Sequence, residues 1–74
     1  MVHAETEQLI RKGDRLVGLI AAANGAERYS LHQDLHRVIT NIRLHGATVP
    51  LRFRDLDLEL LEEEIEDRFD NLPV

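Results

Sequence analysis

Ser30-Leu31-His32-Gln33-Asp34-Leu35-His36-Arg37-Val38-Ile39-Thr40-Asn41-Ile42-Arg43-Leu44-His45-Gly46 is the stretch on which the fold turns. Leu31, Leu35, Val38 and Ile42 recur at i, i+4, i+7 and i+11, with Ile39 beside them. That is the period of an amphipathic helix, not the alternation of a strand. Ser30 followed by Gln33 reads as a capping box, with the hydroxyl accepting from a first-turn amide and Gln33 reaching back to the Ser30 amide. Arg43 and His45 suit the negative end of the helix dipole, and Gly46 tolerates the left-handed conformation that closes a helix. The spacing predicts a helix over 31–45.

Before this segment, Leu9, Leu16, Ile20 and Ala23 fall on one narrow stripe at 100° per residue, with Val17 at its edge. They predict a helix over 4–23, with Glu5 and Glu7 in its first turn and Asn24-Gly25 as its stop. Gly13 sits on that stripe. A glycine inside a helix costs about 1 kcal/mol relative to alanine, a cost that close helix–helix approach can offset.

After it, Ala47 to Arg54 is ambiguous. Pro50 favours an extended Val49, and Leu51 and Phe53 alternate with Arg52 and Arg54 in a strand-like period of two. A lone strand has no partner within the chain, so the favoured reading is an irregular connector over 47–54 that drops Leu51 and Phe53 into the core. Asp55 or Asp57 then caps a third helix over 56–69, whose stripe is Leu58, Leu61, Ile65 and Phe69, with Leu72 as a possible extension in the tail 70–74. The expected fold class is all-α: three amphipathic helices forming a small helical bundle, one domain over 1–74.

Size makes self-association part of that expectation. A chain of 74 residues buries only about 60% of its unfolded surface. Small domains usually add a disulfide, a metal or a partner, and the absence of cysteine removes disulfides, iron–sulfur clusters and thiolate zinc sites. Leu19, Leu44, Leu56 and Leu60 lie off the main stripes and supply apolar surface for a homo-oligomer, with a dimer favoured. No apolar run approaches the roughly 20 residues of a membrane span, and the N-terminus lacks a signal-peptide pattern. The expected setting is cytoplasmic, with no membrane partner.

Charge is segregated within the net −5. Residues 1–54 hold five acids and eight bases, whereas residues 55–74 hold nine acids and one base. Glu59–Glu63, Glu62–Glu66 and Glu63–Asp67 are like-charge i,i+4 pairs, each destabilising by about 0.2–0.5 kcal/mol. Three readings fit this acidic helix: a solvated face, a surface for the arginines of this chain or a second copy, and a contact for a basic protein partner. Eight of the nine bases are arginine, whose planar fork matches carboxylates.

His32 and His36 share one helix face at i and i+4, a spacing that can hold a metal. Gln33 stands where the zinc-protease pattern needs a glutamate, so hydrolytic chemistry is not supported, and metal binding ranks a distant third among the functions. No cofactor is expected. Nor is an enzyme, because there is no cysteine, one serine, no glycine-rich loop opening a helix, and no evident pocket around the acids. Net charge and the lack of a lysine cluster argue against nucleic acid. The alternative function is a dimeric DNA-binding regulator or antitoxin using Arg52 and Arg54 on a ribbon formed by Thr48–Arg54, although only about twenty residues follow, one helix too few for a ribbon–helix–helix order. The leading expectation is a protein–protein interaction module (adaptor, accessory subunit or regulator). Its recognition surface comprises Glu59, Glu62, Glu63, Glu66, Asp67, Leu19, Leu56 and Leu60.

Overall fold

Three helices, α1 (Val2–Ala22), α2 (Gly25–Leu44) and α3 (Leu51–Asp70), account for nearly all of the described chain. The computed structural model describes the backbone of residues 2–70 and the side chains of residues 4–66. The side chains of Asp67 and Phe69, and all of Leu72, lie outside the described residues. Among the described residues there is no strand.

The first two helices form a tight hairpin through Ala23 and Asn24. Asn24 is extended (φ −135°, ψ 155°) and occupies the N-cap position without a side-chain capping bond. Ser30 therefore caps nothing: α2 starts at Gly25, and Ser30 is an exposed residue inside it. The capping-box reading is corrected by the preceding turn. Ala26-Glu27-Arg28-Tyr29 continues the helix backwards, which lets Arg28 reach both neighbouring helices. At the other end the expectation holds. Gly46 has φ +75°, its N–H donates to Arg43 O at 2.9 Å, and the Ala47 N–H donates to Ile42 O at 3.2 Å. This is a Schellman closure, which satisfies two otherwise orphaned carbonyls.

Residues 51–54 are neither connector nor ribbon. The Pro50 carbonyl accepts from Phe53 N at 3.0 Å and Arg54 N at 3.3 Å, so α3 begins immediately after the proline. Proline has no N–H to lose at a helix start, and four residues are too few to distinguish a period of 2 from one of 3.6.

α2 is the central element. Leu35, Val38, Ile39 and Ile42 are buried on it and meet Leu16 and Ile20 of α1, Val49 of the connector, and Phe53 and Leu60 of α3. The expected stripes of α1 and α2 are the observed core faces. The α3 stripe is not. Leu58, Leu61 and Ile65 are 56%, 46% and 45% exposed, whereas Leu60, assigned to the outer surface, is 3% exposed. Leu56 is half-buried against the core. The inner face of α3 is Phe53, Leu56, Asp57, Leu60 and Glu64, rotated by roughly 130° from the expected stripe at 100° per residue, because two carboxylates occupy inward positions that an apolar count passes over. No helix among the described residues is long and apolar enough to cross a membrane.

Candidate interaction site

Three polar clusters fix how α3 lies on the hairpin, and so what it presents outwards. The first surrounds His32, which is buried on α2. Its Nδ1 lies 2.7 Å from Glu64 Oε1 and its Nε2 lies 2.9 Å from Asp57 Oδ1. Carboxylate oxygens only accept, so both bonds form together only when both ring nitrogens carry hydrogen, that is, in the imidazolium. Burial opposes the charge. The hydrogen bonds from Glu64 and Asp57, with their negative charges, outweigh it and hold His32 above the ordinary histidine range. His36 is largely exposed, with Nδ1 3.5 Å from the same Asp57 oxygen. The i,i+4 pair thus converges on a carboxylate. Among the described residues, however, no group of three or more His, Asp and Glu is arranged to hold a metal ion.

The second cluster is built on Arg28. Its Nη1 donates to the carbonyl of Ile20 in the last turn of α1 at 2.7 Å, while Nε and Nη2 form a two-pronged contact with Glu63 at 3.0 and 3.1 Å. One guanidinium joins all three helices. The hydrogen bond from Arg28 holds the Glu63 carboxyl below the usual range. In the third cluster, Arg52 grips Asp14 through Nε and Nη2 at 2.7 and 3.0 Å, and its guanidinium lies 4.9 Å from the Phe53 ring centre. Arg52, which the alternative reading placed on a DNA-contacting ribbon, ties α3 to α1. Arg54 is exposed.

With α3 anchored in this way, the expected recognition residues separate. Glu63 turns to Arg28, Leu60 is in the core, Leu56 packs at its edge, and Leu19 remains 48% exposed on α1. Glu59, Glu62 and Glu66 form the exposed acidic ridge of α3. Beside this ridge runs an apolar seam missed by the sequence reading: Leu51, Leu58, Leu61 and Ile65, all exposed. Leu44, at 78%, is exposed at the end of α2. Seam positions 51, 58 and 65 are seven apart and 54 and 61 complete the alternation, which gives a heptad pattern with Arg54 at one inner position. The same leucines that suggested the core were the signal for the seam. Buried Phe53 and Leu60, with Asp57 and Glu64 turned to His32, distinguish the two faces.

Comparison with protein-family models, with characterised proteins and with solved structures returns no match.

Proposed function

We propose that the chain is a small helical protein–protein interaction module, an adaptor, accessory subunit or regulator, that works as a homo-oligomer and engages its partners through the outward face of α3. The observation that carries this reading is the seam of Leu58, Leu61 and Ile65. Three large aliphatic side chains, each about half exposed, are aligned along one helix. Contiguous apolar surface of this kind marks contact sites in small proteins more often than isolated exposed leucines do. The acidic ridge of Glu59, Glu62 and Glu66 beside it gives the surface a polar rim and a preference for basic partners.

Sedimentation velocity at micromolar concentrations tests the reading. The wild type should sediment at twice 8.5 kDa or more, and Leu61→Glu should shift it to the monomer while leaving the helical spectrum intact. A wild-type monomer at every concentration would refute the homo-oligomer.

A further inference from the structure

We propose that His32 is a proton-operated latch on α3: its imidazolium holds the later turns of that helix, from Asp57 onwards, against α2, and loss of the proton releases them while the first turn stays seated. The latch is independent of the partner and oligomer proposed above. Geometry carries it. Nδ1 meets Glu64 Oε1 at 2.7 Å and Nε2 meets Asp57 Oδ1 at 2.9 Å. Both oxygens only accept, so the two bonds together need two ring hydrogens, and a neutral ring has one. Whichever tautomer forms, the other nitrogen then turns a lone pair towards a carboxylate oxygen less than 3 Å away. The His32 side chain is 9% exposed, which leaves little room for water to intervene. One carboxylate has to move off, and both are carried by α3.

The surroundings of His32 confine the response to this contact. From α3 it faces Asp57, Glu64 and, through space, Glu63; from α2, Arg28 and His36 stand beside it. Among the described residues, no side chain of α1 lines the recesses on either side of the ring. The Arg28–Glu63 hydrogen bond raises the arginine and lowers the acid, so both keep their charges from pH 6 to pH 9. His36 is largely in solvent, 3.5 Å from the Asp57 oxygen that His32 holds more closely. The start of α3 is fastened differently. Phe53 is fully buried against Gly13, and the Arg52–Asp14 hydrogen bond keeps both of those groups charged over the same range. Burial opposes a charge on His32, but the hydrogen bonds and charges of Glu64 and Asp57 outweigh it. The hold is therefore complete below about pH 6.5 and is lost as the pH rises through a higher value. Beyond that point Leu60 and the Arg28–Glu63 pair, its glutamate half exposed, are left to hold the later turns, and exposed pairs hold weakly. Glu59, Glu62 and Glu66 ride on these turns, so the placement of the acidic ridge follows pH.

The cysteine-free sequence allows paired nitroxide labels at exposed positions. Arg37→Cys with Glu62→Cys reports the later turns of α3 relative to α2, and Arg37→Cys with Arg54→Cys reports its start. Each labelled chain is diluted into unlabelled protein, so that pulsed electron paramagnetic resonance reads distances within one chain. Between pH 6 and pH 9 the 37–62 distribution should broaden and move to longer distances, while the 37–54 distribution stays fixed. Glu64→Gln separates the latch from a general weakening at high pH. The introduced amide can donate to the bare ring nitrogen while the remaining ring hydrogen goes to Asp57, so this variant should keep its pH 6 distribution at pH 9. His36→Gln should respond as the parent does. An unchanged 37–62 distribution in the parent, or the same broadening in Glu64→Gln, would overturn the latch. So would loss of the response in His36→Gln, which would place the titration on His36, or movement of both distributions together, which would mean that the start of α3 leaves too.

Discussion

Phe53 rests on Gly13 with no room for a methyl group between them: a Cβ built on Gly13 would stand 2.5 Å from both Cε2 and Cζ of the ring. Phe53 is fully buried, and this contact brings α3 close against α1. Gly13→Ala should therefore destabilise the fold by about 1–3 kcal/mol through overpacking, although alanine is the better helix former by about 1 kcal/mol. Gly18, in the same helix, has nothing within 4 Å of an added Cβ. Gly18→Ala should stabilise by about 0.5–1 kcal/mol. Urea unfolding of the two variants checks the opposite signs, and a stabilised Gly13→Ala would disprove the close approach.

Protonation of His32 should be linked to stability. Its pKa in the folded protein is raised, so the stabilisation it contributes is fully present below the unfolded-state value of about 6.5 and is lost as the pH rises through the folded-state value. The melting temperature of the wild type should exceed that of His32→Gln by more at pH 6 than at pH 9. Proton NMR titration should place His32 above the histidines of the unfolded chain. A midpoint at or below theirs would contradict the two-carboxylate clasp.

Removing the Arg28 guanidinium leaves the Ile20 carbonyl and Glu63 without their shared donor. Hydrogen bonds to charged groups are worth about 1.5–3 kcal/mol when shielded, whereas exposed ion pairs are worth about 0–1 kcal/mol. Arg28 is partly covered and Glu63 is half exposed, so Arg28→Ala should cost about 1–2 kcal/mol. Arg28→Lys should recover only part of this, because an ammonium cannot reproduce the forked contact. Full recovery with lysine would mean that the fork itself is unimportant.

Leu35 and Ile42 are both at 0% exposure and Leu44 is at 78%. Truncating either core residue to alanine should cost about 2–5 kcal/mol, while Leu44→Ala should stay within about 0.5 kcal/mol of the wild type. Thermal melts of the three variants under identical conditions would separate the two classes.

The first two helices were legible because burial on them follows hydrophobicity. Leu16 and Ile20, and then Leu35, Val38 and Ile42, are both the periodic apolar residues and the core. On α3 that correspondence breaks. Asp57 and Glu64 face inwards because His32 offers each a proton, and the leucines at 58 and 61 face outwards. A pattern of apolar positions cannot register a carboxylate whose burial is compensated by a partner 25 or 32 residues away in sequence. Gly13 was the one available clue. A glycine on a core stripe signals a large neighbour, and Phe53 is the large residue that fills that place.

The uneven composition of the inter-helix contacts implies that the molecule does not open uniformly. Aliphatic side chains dominate the α1–α2 packing, whereas among the described residues α3 contributes Phe53 and Leu60 to the buried core, with Leu56 at its edge, and is tied down further by His32, Arg28 and Asp14. Ionic and titratable fastenings weaken with salt and pH where apolar packing does not. Backbone amides of α3 should therefore exchange with solvent through a partial opening that leaves the α1–α2 hairpin closed, as a separate cooperative unit with its own free energy. Raising salt or pH should speed deuterium uptake in α3 long before α2 responds.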